Sequence, residues 1–183
     1  MKDSLAKKYL YKLSTNTTNL LINLLTAGII PRALGVKDYG IFNYVTTILS
    51  QTFMFLDLRS STYFYVKLSQ KNNDNNLFNF YLIYAFTLNI IFCFLLFLTY
   101  LFSFNELIFI DVKISIIILG VFYTLLSWFL ELCIKIFDAN GATVFLEKYR
   151  IINKIIVVIF IVGFYYLSIL HILTYFYIQI FFI

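Results

Sequence analysis

Long apolar runs separated by short polar breaks dominate this chain. A helix needs roughly 20 mostly apolar residues to cross about 30 Å of hydrocarbon, and five runs meet this length. The period-two alternation of membrane-barrel strands is absent. The pattern therefore predicts an all-α, polytopic membrane protein, one membrane domain over 1–183, with five full transmembrane helices and the start of a sixth. Their approximate bounds are 13–30, 41–58, 77–102, 113–137, 151–170 and, for the incomplete sixth, 172–183.

The first polar break, 31–40, contains the only proline of the chain and two of its six glycines. Pro31 cannot donate the hydrogen bond that would continue the preceding helix. Gly35 and Gly40 permit the backbone angles that a tight reversal needs. We therefore expect a hairpin in this break, with the first helix ending at Ile30 and the second beginning at Ile41.

The last apolar run ends after only twelve residues, at Ile183. A helix of that length reaches about halfway across the hydrocarbon. We therefore expect the sequence to be a fragment or a truncated reading frame of a longer membrane protein.

The composition points to a bilayer as the solvent of this chain. It is 62% hydrophobic and 13% charged, with a mean hydropathy of +0.89, whereas a soluble domain is roughly 45–50% apolar and about a quarter charged. The net charge of +5 is scattered among the apolar runs and forms no continuous basic face, which argues against nucleic acid as a partner. Cys93, Cys133 and the single His171 lie apart, so we expect no metal site.

The orientation follows from the placement of lysine and arginine, which accumulate on the cytoplasmic side of membrane proteins. With the N-terminus inside, eleven basic residues lie on the inner side and three on the outer side, which predicts a cytoplasmic N-terminus. The inner set is Lys2, Lys7, Lys8, Lys12, Arg59, Lys67, Lys71, Lys135, Lys148, Arg150 and Lys154, and the outer set is Arg32, Lys37 and Lys113.

Polar side chains in three of the runs fall on single helical faces, because positions three and four apart share a face. Such stripes serve either as helix–helix contacts or as the wall of a polar interior. Three stripes are present and one carries costly ionisable groups, so we expect the first, second and fourth helices to line a polar interior. The stripes are Asn16, Asn19, Asn23 and Thr26; then Asn43, Thr46, Thr47, Ser50 and Asp57; then Gly120, Thr124, Ser127, Glu131, Lys135 and Asp138.

Two pairs of charges near the inner ends of these helices admit two interpretations each. Glu131 and Lys135 have the favourable spacing of an intrahelical pair; alternatively, Glu131 carries a proton or cation and Lys135 attracts an anionic substrate. Asp57 and Arg59 are either ordinary interfacial charges or serve the same roles.

Catalytic motifs are absent from the sequence. It contains no nucleophile elbow, no HExxH and no phosphate-binding glycine loop, and its polar loops are too short to form a water-facing domain. We therefore expect a protein that is not an enzyme and that needs no cofactor.

The first break resembles the N-terminal signature of polysaccharide flippases, the polysaccharide-transport branch of the multidrug/oligosaccharidyl-lipid/polysaccharide superfamily. Residues 30–43, IPRALGVKDYGIFN, match every fixed position of the pattern P-R-x-L-G-x-x-x-Y-G-x-F-N. The exit of the fourth helix, FDANG at 137–141, is also similar to the family. The chain departs from it after Asp57, where the family commonly has a glycine and Arg59, Ser60 and Ser61 stand here.

The resemblance implies most of one lobe of a transporter with about 12–14 helices, embedded in the cytoplasmic membrane. Its implied substrate is an undecaprenyl-diphosphate-linked glycan, the repeat unit of O-antigen or capsule, flipped to the outer leaflet. The implied partners are membrane lipids and either the missing C-terminal half or a second copy. Under this hypothesis the residues that line the glycan path are Asn16, Asn19, Asn23, Asn43, Thr46 and Ser50. The residues that contact the diphosphate are Arg32, Arg59 and Lys135. Glu131 and Asp57 couple transport to an ion or a proton.

Three other hypotheses remain open at this stage. A polytopic polysaccharide polymerase would need a large outer loop, and a small-molecule or cation exporter of the same superfamily would have a more acidic or aromatic cavity. The third is that the truncated chain does nothing by itself.

Overall fold

The computed structural model describes residues 5–70 and 75–183, and over these ranges the chain is helical with no strand. The predicted all-α class is therefore confirmed. The helices are α1 Leu5–Leu34, α2 Val36–Asp57, α3 Ser60–Gln70, α4 Asn75–Leu101, α5 Phe104–Ile108, α6 Ile114–Ala139, α7 Thr143–Tyr166 and α8 Ile172–Phe181.

Three helices in the described ranges are long and apolar enough to cross a membrane. They are Asn76–Leu101, Ile114–Ala139 and Thr143–Tyr166, and they correspond to the predicted third, fourth and fifth spans. The segments Ala6–Leu34 and Val36–Asp57 pass the same test only together, as a pair bent by 118°. The structure thus supports a membrane protein with three spans, or four if the bent pair counts as one.

The first polar break is much shorter than the sequence suggests. α1 continues through Pro31 to Leu34, and Gly35 is the one residue between α1 and α2. Gly35 takes a left-handed φ of +79°, which glycine tolerates without strain. Pro31 lies in the last turn of α1, where it removes one hydrogen bond without ending the helix. The reversal therefore needs one glycine rather than a ten-residue loop.

Contacts group the chain into two units, and the first comprises the chain up to Asn43 together with Asn140–Ile183. In it α1 packs along α7. The Lys8 amino group lies beside Gly141, just before α7. Beyond the other ends of the two helices, the Phe42 ring lies 4.7 Å from the rings of Tyr175 and Phe176. These contacts show that α1 and α7 run parallel.

The second unit, Tyr44–Ala139, is built on the C-terminal part of α2 together with α4 and α6. Phe53 of α2 packs against Phe92 of α4 and Trp128 of α6, at ring distances of 4.9 and 4.8 Å. Nearer its start, α2 contacts Gly120 of α6, where an added β-carbon would lie 2.5 Å from Val45 Cγ1. α2 and α6 therefore run parallel and lie close together.

The helix α3 was not predicted from the sequence, because its 11 residues are too few for a membrane span. Ser61, Phe64 and Leu68 are its buried positions, at helical spacing. Phe64 stacks on Tyr81 of α4 with ring centroids 3.9 Å apart. α3 also packs against the C-terminal part of α6, so it closes one end of the second unit.

Candidate functional site

The polar stripes of α2 and α6 face a common cleft of about 420 Å³ in the second unit. The cleft forms beside the contact between Gly120 of α6 and Val45 of α2, where the two parallel helices approach each other closely. The floor is aromatic and the walls carry hydroxyl groups. The lining residues are Thr46, Thr47, Ser50, Phe53, Met54, Tyr123, Thr124, Ser127, Trp128 and Glu131.

The hydroxyl groups of the cleft donate their protons to their own helices. Ser50 Oγ lies 2.6 Å from the Thr46 carbonyl oxygen, and Ser127 Oγ lies 2.6 Å from that of Tyr123. Thr124 Oγ1 donates to the Gly120 carbonyl at 2.9 Å. The exposed Ser50 hydroxyl keeps acceptor lone pairs for a ligand. The walls can therefore accept hydrogen bonds from a hydroxyl-rich ligand.

Glu131 supplies the carboxylate of the cleft. Its side chain is exposed and has no ion-pair partner among the described residues. Lys135, one turn further along α6, directs its amino group to Ser61 Oγ at 2.9 Å instead. The intrahelical Glu131–Lys135 pair that the spacing allows is therefore not formed, and Glu131 remains available to a ligand.

The second polar cluster surrounds the buried carboxylate of Asp57, which is 7% exposed at the end of α2. Ser60 Oγ donates to Oδ1 at 2.8 Å and Ser61 Oγ donates to Oδ2 at 2.7 Å. Tyr84 approaches Ser60 Oγ at 2.7 Å. Because Lys135 bonds to Ser61, its charge offsets that of Asp57 through one shared hydroxyl.

The turn between Asp57 and Ser60 is strained. Leu58 and Arg59 have φ angles of +46° and +60°, a region that costs a residue with a β-carbon about 1–2 kcal/mol. This is where the resembled family commonly has a glycine. The hydrogen bonds of Asp57 to the first residues of α3 hold the chain in this conformation.

The remaining predicted residues, apart from Arg59, lie in the first unit. Asn16 and Asn23 are exposed on α1 and Asn19 is half-buried, whereas the buried positions of this face are occupied by Thr15 and Ile22. The asparagines therefore border the packed face of α1. Arg32 is exposed in the last turn of α1 and Asn43 is exposed in α2, while Arg59 is exposed in the second unit.

Two groups of residues near these sites were not identified from the sequence. Tyr123 and Trp128 line the cleft because they flank the stripe of α6, and their aromatic character resembled that of lipid-facing residues. Ser60 and Ser61 follow Asp57 by three and four residues. Two hydroxyl donors so close in sequence to a carboxylate could have indicated the Asp57 cluster.

No known protein family, characterised protein or solved structure matches this chain. The description of the site therefore rests on the geometry of this chain alone. Within the described ranges no three His, Cys, Asp or Glu side chains converge as metal ligands would. Among the described residues, the site offers a ligand hydroxyl groups for hydrogen bonding and the carboxylate of Glu131. Lys135, Ser61 and Asp57 form a separate buried network of charges.

Proposed function

We propose that this chain takes part in moving a lipid-linked oligosaccharide, an undecaprenyl-diphosphate-linked repeat unit, across the cytoplasmic membrane for surface polysaccharide synthesis. The observation that carries the proposal is the cleft with hydroxyl groups on its walls between the parallel helices α2 and α6. Sugar hydroxyls are hydrogen-bond donors and acceptors, and aromatic floors suit sugar rings. The signature in residues 30–43 adds the resemblance to flippases.

An amphipathic substrate also needs an apolar surface for its lipid, and the second unit provides one. A groove of about 440 Å³ lies between the C-terminal half of α4 and the N-terminal half of α6. Its lining is aliphatic and aromatic, including Phe97, Ile118 and Phe122. A prenyl chain could lie in this groove while the glycan occupies the cleft, because both are formed by α6.

The residue roles follow from these two surfaces. Thr46 and Ser50 bind glycan hydroxyls in the cleft. Asn16, Asn19, Asn23 and Asn43, in the first unit, are proposed as glycan contacts on the resemblance alone. Arg32, Arg59 and Lys135 attract the diphosphate, for which Lys135 exchanges Ser61 for a phosphate oxygen. Glu131 and Asp57 are the candidates for ion or proton coupling. The proposal assigns no catalytic role to any of these residues.

The helix directions are consistent with the five alternating spans that the proposal includes, and the cytoplasmic N-terminus rests on the placement of lysine and arginine. In that topology the second and fourth predicted spans cross in the same direction, and α2 and α6 run parallel. The first and fifth also cross in one direction, and α1 and α7 run parallel. The second lobe of the transporter would come from further sequence or from a second copy.

The test is flipping by proteoliposomes that contain the full chain, alone and with any membrane protein that co-purifies with it. A fluorescent lipid-linked oligosaccharide is loaded into the inner leaflet of the vesicles. A lectin in the outside buffer then binds the glycans that appear in the outer leaflet. Ser50→Leu with Ser127→Leu should abolish flipping, whereas Phe86→Leu, an exposed position on α4, should not. Equal flipping by all three proteins would contradict the proposal.

One observation favours a second candidate, an exporter of small cations. Glu131 lies in the cleft without an ion-pair partner, as a cation carrier requires. Glu131→Gln distinguishes the two functions in the same vesicles. It should eliminate export of a cationic dye if the cleft carries cations. If the substrate is the lipid-linked oligosaccharide, downhill flipping should remain, because Glu131 then couples transport to an ion and does not hold the glycan.

A further inference from the structure

The segment between α4 and α6 is unusually apolar for a connection between helices. It comprises residues 102–113, FSFNELIFIDVK, and seven of these twelve residues are large and apolar. By contrast, the breaks at 69–76 and 138–142, SQKNNDNN and DANGA, contain no large apolar residue. The segment connects two helices that are long and apolar enough to cross a membrane. Its apolar residues therefore lie close to the hydrocarbon, at one end of both spans.

One side of this segment is held against the second unit. The Tyr44 hydroxyl of α2 donates a hydrogen bond to the Ile108 carbonyl oxygen, and the Tyr44 ring meets Phe109 edge-on with centroids 6.4 Å apart. Phe109 is buried and lines the apolar groove between α4 and α6. α5 also packs on α4. The segment therefore has a packed side that is fixed by contacts to α2, α4 and α6.

The opposite side presents large apolar side chains that the described part of the chain leaves mostly uncovered. Four of them are 54–74% exposed, namely Phe102, Phe104, Leu107 and Ile110. Phe104 and Leu107 are three residues apart and share one face of the short helix α5. A contiguous apolar patch of this kind marks a surface that is covered by a partner or by a membrane.

The residues around the patch indicate that a membrane covers it. Tyr100, in the last turn of α4, is exposed, and Tyr44 is exposed where it bonds to Ile108. Tyrosine is enriched where a membrane meets water, because its ring is apolar and its hydroxyl group is polar. Asp111 and Lys113, directly after the patch, are also exposed. An apolar face flanked by charges and tyrosines is typical of a segment that lies in the membrane interface.

We infer that residues 102–110 form an interfacial segment, whose exposed side is embedded in the bilayer surface at the end of α4 and α6. Interfacial helices bury their apolar face about 5–10 Å into the boundary between headgroups and acyl chains. The partner of this surface is lipid rather than protein. Because Tyr44 bonds to Ile108, the segment also ties the N-terminal half of α2 to the membrane surface. This role is independent of the proposed transport.

The test is spin labelling of the full chain in reconstituted vesicles, with Cys93→Ala and Cys133→Ala as the background. Nitroxide labels are attached to Phe104→Cys or Leu107→Cys, and their collisions with dissolved oxygen and with a water-soluble nickel chelate are measured. Oxygen concentrates in the bilayer and the chelate stays in water. The ratio of oxygen to nickel collisions should therefore be several-fold higher at 104 and 107 than at Lys113→Cys.

Two reference positions frame the result. Phe86→Cys, an exposed position within the span of α4, should give the highest ratio, and Lys113→Cys, exposed and charged in the native chain, the lowest. A ratio at 104 and 107 no higher than at 113 would overturn the inference, because the segment would then lie in water. Low collision rates with both reagents would also overturn it, because a second copy or another protein would then cover the patch.

Discussion

The amino group of Lys135 donates a hydrogen bond of 2.9 Å to the hydroxyl of Ser61. Ser61 in turn donates to the buried Asp57 carboxylate at 2.7 Å. One serine hydroxyl therefore links a cation on α6 to an anion at the end of α2. Since isolated charges are costly within a membrane protein, this relay stabilises both of them and joins α3 to the helices that form the cleft.

Ser61→Ala should lower the stability of the second unit. The substitution leaves one oxygen of the buried Asp57 and the Lys135 amino group without their shared partner, which costs about 1–3 kcal/mol. The midpoint of thermal unfolding in detergent should fall. Ser69→Ala is the matched control on the same helix, because Ser69 is exposed and its hydroxyl bonds, within the described part of the chain, only to the Tyr65 carbonyl. Equal midpoints for the two variants would show that the relay contributes no stability.

Leu58→Gly should raise the thermal midpoint. Leu58 has a φ of +46°, and glycine removes a strain of about 1–2 kcal/mol while the greater freedom of the unfolded chain offsets up to about 1 kcal/mol. Little packing is lost, because Leu58 is 76% exposed. Leu58→Ala keeps a β-carbon and should show no gain. A gain as large for alanine as for glycine would mean that backbone strain is not the cause.

Gly120→Ala should separate α2 from α6. Its β-carbon would lie 2.5 Å from Val45 Cγ1 and 3.0 Å from Leu49 Cδ1, and the branched Val45 side chain has little freedom to move. Overpacking of this kind costs about 1–3 kcal/mol, measured as a lower thermal midpoint. Gly163→Ala, with no heavy atom within 4 Å, should be neutral or stabilising. Adding Val45→Ala to Gly120→Ala should restore the midpoint.

The sequence predicted the helical class and the positions of the most apolar helices. The predicted spans 77–102 and 113–137 lie within about two residues of α4 and α6, because a long apolar run has no other stable form in lipid. The fifth was placed at 151–170, whereas α7 begins at Thr143. The residues from Thr143 to Arg150, which include the charged Glu147 and Lys148, lie outside the predicted span because their charges lower its hydropathy.

The arrangement of the polar stripes could not be predicted in the same way. A period of 3.6 identifies the face of a helix but not the helix that this face meets. Gly120 and the Phe53–Trp128 contact bring α2 and α6 together, and neither is visible in a hydropathy pattern. The polar stripe of α1 has the same helical spacing as those of α2 and α6. Its asparagines nevertheless border the packed face of α1 in the first unit.

A wet cleft should be detectable by thiol chemistry. In a chain with Cys93→Ala and Cys133→Ala, Ser50→Cys and Ser127→Cys should react with a small maleimide in reconstituted vesicles, because a thiol reacts as its thiolate, which requires water. Phe86→Cys is the control, since Phe86 is 72% exposed on the apolar α4 and should face lipid. Labelling of residues 50 and 127 but not 86, measured as the mass added per chain, would demonstrate that water enters between α2 and α6. Equal protection of all three thiols would show that lipid or protein fills the cleft, and the hydroxyl walls would then serve helix packing rather than a substrate.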